Sequence, residues 1–468
     1  MLLKNMPFVE QFIKELNDSI GREVPEFRLT LIQQYWLSFC LSGILVTNSV
    51  CWARFERASL GNYTVSALSW MFCKSAIAWE SLFLFSVKLV LSSYGITQGT
   101  LVIDDSDKKR SKTTSRIFAT YKVYDKSTDG YFNGQTLVFL LLVTPSVTFP
   151  VGFAFYRPDP KVALWRKEET RLKQLKVPKK KRPPLPPANL EYPSKEQISM
   201  KLLRQFREQH PSIQIQMVLA DAFYGTAEFV NHASTLFQTQ VISQVRSNQL
   251  IRFRNQMWSV ENYFEKFPGV KTVVKVRGGE SINALMNGAR LYLKAHDKKR
   301  FIIALKYEGE EEYRYLMACD LSWRSLDVVQ GYSLRWLVEV FIEDWKSYEG
   351  WGQLTKQTGE EGSSRGLILS LMLDHCLLLH PFQLERLKNK QPAVTVGSLR
   401  ERILVENWMD VLREIISAEK PEEVLKGLEE AINGWIPLAD SSKHMSGRTL
   451  GRLEPTASLQ YWARRAFA

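Results

Sequence analysis

Four side chains able to hold a phosphodiester beside a metal ion stand in one short run. Tyr332, Arg335, Glu339 and Lys346 are three, four and seven residues apart. On one continuous helix these are near-whole turns, so all four share a face. That face sets two fixed cations, a carboxylate and a phenol beside Trp336, Leu337, Val340, Phe341 and Trp345. The same spacing also serves an amphipathic surface helix with ordinary i,i+4 ion pairs.

Two upstream acids offer partners for Glu339. Thr100-Leu101-Val102-Ile103-Asp104-Asp105-Ser106 reads as a short apolar strand ending in acids. Ile213 to Gly225 is a second β-rich run, closing in Asp221-Ala222-Phe223-Tyr224-Gly225. A single Asp in such a place is commonly a cap or turn residue. Asp104 and Asp105 are adjacent, so on a strand they point to opposite faces and only one can join a site.

Tyr, two residues, Arg, three residues, Glu, six residues, Lys resembles the Y-R-E-K signature of bacterial insertion-sequence transposases of the DDE type, insertion-sequence family four. The two aspartate contexts are similar to that family's strand–Asp–any–Ser/Thr and strand–Asp–small–aromatic pieces, and the resemblance spans about residues 98–380. It implies an α/β chain: an RNase H-like catalytic core with a β-rich insertion, flanked by N-terminal and C-terminal helical regions. It implies Asp104, Asp221 and Glu339 as catalytic acids and metal ligands, with Asp104 chosen over Asp105 by the Asp–any–Ser pattern. Two Mg²⁺ ions, with Mn²⁺ able to substitute, suit these hard oxygen ligands. The three carboxylates are then expected to converge on a metal pair.

The resemblance also implies that Tyr332, Arg335 and Lys346 grip DNA phosphates. Arg246 joins them, since Gln244–Asn248 stands where the family has an Arg–Ser turn near DNA. Trp258 and Trp323 are candidates for a platform under a flipped base, although a Trp in a β domain also serves as core. The partners implied are double-stranded DNA, namely transposon terminal inverted repeats and target DNA, and a second copy of the chain in a homodimer on that DNA. The activity implied is cut-and-paste transposition through a hairpin intermediate, in a bacterial cytoplasm close to the nucleoid. Two other classes share these residues: a transposase-derived DNA-binding regulator without cleavage, and an RNase H-like DNA nuclease that cuts without joining.

Composition agrees. The 468 residues hold 62 Lys+Arg against 49 Asp+Glu, a net charge of +13, which favours a polyanionic partner. The densest apolar runs, Thr136–Val143 and Leu367–Leu373, fall short of the roughly 18–20 residues of a spanning helix, so no membrane is expected. The first residues lack the pattern of a secretory signal. Cys40, Cys51, Cys73, Cys319 and Cys376 include no C-x-x-C pair and read as free thiols. His375, inside an apolar helix, reads as a core or interface histidine. No Gly-rich phosphate loop appears, so nothing points to ATP.

Five segments follow along the chain. Residues 1–97 read as helical, a candidate end-binding domain. Within it Leu41–Val50 and Cys51–Leu60 form either a helix–turn–helix, with Arg54, Arg57 and Lys74 as a basic edge, or part of a plain bundle. Residues 98–237 read as the first part of the core, with strands at Thr100–Asp104, Gln135–Thr144 and Val151–Tyr156. The basic, Pro-rich run Lys176–Pro187 excludes regular structure and is either a solvated linker or an arm for a DNA backbone. Residues 238–325 read as the β-rich insertion, from Thr239–Arg246 to Tyr313–Cys319. Residues 326–380 return to the core, and residues 381–468 are helical and a candidate dimerisation region, with packing faces at Val424–Ile436 and Leu459–Phe467.

Overall fold

The computed structural model describes residues 4–110, 117–125, 127–353 and 358–436. Residues up to Arg413 form one compact unit, and those from Glu414 onward form another. Five helices open the first: α1 (Pro7–Glu23), α2 (Leu31–Thr47), α3 (Trp52–Ala58), α4 (Val65–Lys74) and α5 (Trp79–Ser93). Thr30 starts α2 with a capping box, its hydroxyl on the Gln33 N–H and the Gln33 side chain on its own N–H. From Trp36 to Val46 every residue of α2 is buried, as an all-round apolar helix must be.

The strands follow as β1 (Gln98–Arg110), β2 (Tyr121–Asp125), β3 (Gly130–Val143) and β4 (Thr148–Tyr156). After α6 (Pro160–Gln174) and α7 (Lys195–Gln209) come β5 (Gln214–Ala220), α8 (Ala227–Phe237) and β6 (Gln240–Gln244). The next stretch holds β7 (Leu250–Phe253), β8 (Gln256–Ser259), α9 (Val260–Lys266), β9 (Val270–Lys275), β10 (Ser281–Leu293), β11 (Lys298–Tyr307) and β12 (Arg314–Ala318). Helices α10 (Ser325–Ser333), α11 (Trp336–Tyr348), α12 (Gly359–Leu378) and α13 (Pro381–Lys388) follow, and α14 (Val396–Ile416) runs across the boundary at Arg413. In the second unit, α15 (Pro421–Trp435) is helical over most of the expected Val424–Ile436 face but buries none of its residues; Leu459–Phe467 lies outside the described residues.

Among the described residues all twelve strands belong to one mixed sheet. β4, β3 and β1 pair antiparallel, then β5 joins β1 and β6 joins β5 in parallel. β12 lies antiparallel on β6 and leads through β11 to β10, which also pairs with β9 and β7. The expected insertion therefore extends the sheet. Its first expected strand, Thr239–Arg246, is β6, a parallel neighbour of β5 that belongs beside the first-half strands. The sequence boundaries near 97, 237, 325 and 380 fall at element junctions inside this one unit.

Each sheet face is covered by helices, and the strand alternation divides the core in two. Val102 and Leu219 face one apolar cluster, with α1 to α5 and the inner sides of α10, α11 and α12. Leu101, Ile103, Val218 and Ala220 face the other, against α7, α8 and α9. At about 25 cal/mol per Å² of buried apolar surface, both faces must be covered for so wide a sheet to hold. β1 runs six residues past Asp104, so Asp104 is not at a strand end as expected. What ends there is the parallel pairing with β5, at Ile103 opposite Ala220.

Other departures have local causes. α12 starts at Gly359 within a Gly- and Ser-rich stretch, and Ser363 and Gly366 are buried where small residues let it pack closely. The helix α6, outside the expected elements, buries no residue and shows no apolar stripe. Arg182 of the basic loop folds back onto it, pairing with Glu169, while the Trp165 indole donates to the Pro183 carbonyl. Only Lys179–Lys181 makes a short 3₁₀ turn in that loop. α2 and α3 meet at 85°, but with bounds unlike the expected pair, and Trp52, Phe55 and Ala58 of α3 are buried. Among the described residues no single helix is long and apolar enough to cross a membrane.

Candidate active site

Strand register brings two of the acids together. Ile103 and Ala220 are paired neighbours, so the next residues, Asp104 and Asp221, leave the parallel pairing side by side. Strand alternation aims both toward the face covered by α11, because each follows by two a residue of that face, Val102 or Leu219. Asp105 turns to the other face. There it meets Lys195 at the start of α7, Nζ to Oδ2 2.6 Å, and accepts from the Tyr224 hydroxyl at 3.3 Å.

The helix that brings Glu339 is not the single helix read from the sequence. α10 ends at Ser333 and α11 begins at Trp336, with Leu334 and Arg335 in a tight joint between them. The N–H groups of Arg335, Leu337 and Val338 bond three residues back, the spacing of a 3₁₀ turn. Tyr332 thus belongs to α10, Arg335 to the joint, and only Glu339 and Lys346 to α11. Tyr332 points inward, and its hydroxyl donates to the Ala220 carbonyl at 3.4 Å, next to Asp221.

α11 is held by its inner side. Phe341 stacks on Trp345 (interplanar 9°), Trp345 stacks on Trp351 with centroids 4.6 Å apart, and Phe139 of β3 meets both Phe341 and Trp345 edge-on. The Trp345 indole donates to the Ser370 hydroxyl, which donates to the Glu349 carbonyl. Asn48, capping α2, bonds the far end of α11 twice, donating to the Ser347 carbonyl and accepting from the Gly350 N–H. Gly350 has φ +80°, and a Cβ there would lie 2.7 Å from Ile44.

The outer side of α11 forms a pocket with β1, lined by Asp104, Asp105, Ser106, Glu339, Ile342, Glu343, Lys346 and Ser347. Arg335 sits at its end between two acids. One guanidinium nitrogen is 2.9 Å from Asp104 Oδ2, and the other bonds Glu339 Oε1. Burial pushes the Asp104 carboxyl up to about 7; the Asp105 N–H and Arg335 oppose this, while Asp221 and Asp105 add to it. Burial raises Asp221 too, against the Phe223 and Tyr224 N–H groups that bond its Oδ1.

A cation therefore already stands between Asp104 and Glu339, and the donor set of hard anionic oxygens fits Mg²⁺ or Mn²⁺. The full convergence expected from the sequence is not reached. Among the described residues no three His, Cys, Asp or Glu side chains are arranged as a ready metal cluster. The reason is local: Asp221 turns back onto its own loop, and Arg335 fills the space between the other two acids.

The remaining candidates lie apart. Arg246 is exposed on the turn after β6, at the sheet edge where Asp221 emerges. Trp258 lies on β8 under Lys266, and Trp323 packs half-buried against the core. His375 is satisfied on both nitrogens, by the Ser86 hydroxyl and the Pro150 carbonyl, and burial pushes it down to about 4, so it stays neutral. Sequence reading missed Lys195 and the role of Tyr224, whose hydroxyl touches Asp105 while its N–H bonds Asp221. Tyr224 stood in the aromatic pair after Asp221; Lys195, 90 residues from its partner, left no local signal. Gly225 follows because a Cβ there would lie 2.8 Å from the Gln244 carbonyl.

Residues 68–262 match the model of a family described as DDE superfamily endonuclease. That segment is less than half of the chain; it contains Asp104 and Asp221 and stops before Glu339. No curated protein matches the chain. Among solved structures it is similar to a piggyBac transposase synaptic complex with hairpin DNA, determined by cryo-EM. Identity is 9%, the TM-score 0.42, and the match covers 96% of this chain and 86% of that one, a likeness too weak to add to the site geometry.

Proposed function

We propose that this chain is a DDE-type DNA transposase of the Y-R-E-K insertion-sequence kind, cutting phosphodiester bonds at transposon ends and joining the released 3′-hydroxyl to another strand, by way of a hairpin. The observation that carries this reading is the single guanidinium of Arg335 shared by Asp104 and Glu339, at the edge where Asp104 and Asp221 emerge side by side. We read the order β4-β3-β1-β5-β6, three antiparallel strands followed by two parallel ones, as an RNase H-like core. The match of residues 68–262 to a DDE endonuclease family supports the same class.

In this reading Asp104, Asp221 and Glu339 would hold two Mg²⁺ ions, whose chemistry is to activate the attacking oxygen and stabilise the leaving one in an in-line displacement. Arg335 offers a planar fork that suits a phosphate as well as it suits two carboxylates. Tyr332 anchors the α10–α11 joint to β5 through the Ala220 carbonyl, so the second and third acids keep their relation. Lys346 is a point charge on the pocket side of α11. Two copies act on paired ends, with Arg246 contacting DNA from the neighbouring turn.

The test is a gel assay with the DNA that flanks the gene, in Mg²⁺, using the parent protein and Glu339→Gln. Joined products from the parent, with cleavage lost by orders of magnitude and end binding kept in the variant, are the expected result. Cleavage without joining would indicate a nuclease, and binding without cleavage by the parent a regulator. Equal cleavage by parent and variant would remove Glu339 from the site.

A further inference from the structure

β1 continues past the acids as a row of cations. It pairs with β3 without a register shift from Thr100 to Arg110, so Asp104, Ser106, Lys108 and Arg110 share the face turned to α11. Contacts bear this out: Lys108 donates to the Gly352 carbonyl just after α11, and the Arg110 guanidinium lies 5.5 Å from the centre of the Trp351 ring. At 3.2–3.4 Å per residue, Lys108 lies roughly 13 Å from Asp104 and Arg110 roughly 20 Å. Lys346, two turns beyond Glu339, closes the row from the helix side.

We propose that Lys108 and Arg110 extend the phosphate grip assigned to Lys346 into a track that receives the backbone of the DNA strand running away from the scissile bond. The spacing of Lys108 and Arg110, roughly 6.6 Å, is comparable with the separation of successive phosphates in a nucleic-acid strand. Three half-buried cations crowd one another here: burial first, then Arg110 and Lys346, pull the Lys108 ammonium down to about 8. A polyanion relieves that crowding. The acids nearby do so only in part, because Asp107 is engaged by the Thr136 hydroxyl and Glu343 lies on the exposed side of α11. The Arg110 guanidinium is held by its Nε, which donates to the Gln135 side-chain oxygen at 2.8 Å, and by cation–π contact with the buried Trp351. This inference rests on the transposase reading for the identity of the polyanion.

The experiment measures binding of a labelled DNA duplex with a single-stranded 3′ extension to the full chain, without divalent metal, across a salt series. Lys108→Gln and Arg110→Gln are each expected to flatten the slope of log affinity against log salt by about one unit, and Lys108→Arg to restore it. On the unaltered protein, replacing phosphates one at a time by uncharged methylphosphonates is expected to reveal two successive sensitive positions on one side of the scissile bond. Unchanged slopes in folded variants, or no such pair of positions, would overturn the track while leaving the transposase reading intact. Failure of the parent to bind DNA at any salt concentration would overturn both.

Discussion

Asp104 and Asp105 differ by one residue and by a whole sheet face. Asp104 shares Arg335 with Glu339, while Asp105 is tied to Lys195 and to the buried Tyr224, whose N–H also holds Asp221. The two should respond differently to loss of charge. Asp104→Asn is expected to abolish cleavage with little change in melting temperature. Asp105→Asn loses a charge-assisted bond between β1 and α7, worth about 1.5–3 kcal/mol, and should lower the melting temperature while cleavage falls far less. Thermal melts and gel assays on both variants decide it, and the reverse pattern would make Asp105 the reacting acid.

The element that matters most is α11, and its anchors lie outside the recognised motif. Asn48 of the N-terminal layer bonds both Ser347 and Gly350, so the turn read as part of either a helix–turn–helix or a plain bundle is docked on the end of this helix. Gly350→Ala must be strained at φ +80° and 2.7 Å from Ile44, at a cost of about 1–3 kcal/mol. We expect it to lower both melting temperature and cleavage; wild-type values of both would show that the far end of α11 does not position Glu339.

Behind α11 lies a buried acid pair. Burial first, then the neighbouring carboxylates Asp374 and Asp344, push Glu349 well above the usual range, and burial raises Asp374 in the same way. The folded chain thus binds a proton more tightly than the unfolded chain, whose carboxylates titrate near pH 4. Stability is fully present below that pH and is lost as pH rises toward the raised folded values. Glu349→Gln should therefore flatten the decline of melting temperature between about pH 4 and neutrality. A decline identical to the parent's would mean that the pair holds no extra proton.

At the scale of the whole molecule, one sheet joins the segments that the sequence divides. β6 pairs in parallel with β5 and antiparallel with β12, so the expected core and insertion share backbone hydrogen bonds and both apolar clusters. They should unfold together. Calorimetry of a chain ending at Ile416 is expected to show one cooperative transition; two separate transitions, one removed by deleting the stretch from β7 to β11, would contradict a shared core.

Local chemistry made part of this legible in advance. Apolar runs closing in Asp, and Tyr, Arg, Glu and Lys at helical spacing, announce strands, a helix and an acidic site because side-chain period and turn chemistry are local properties. Ser194 starts α7 with a capping box, a local device of the same kind. Register and long-range packing are not local. Whether Asp104 or Asp105 faces α11 depends on which β1 residues meet β3 and β5, and the break at Leu334–Arg335 depends on what α10 and α11 each pack against. Lys195 found Asp105, and Asn48 found Gly350, across 90 and 302 residues. No residue's neighbours in sequence could announce those contacts, because they exist only once two apolar faces have closed over the sheet.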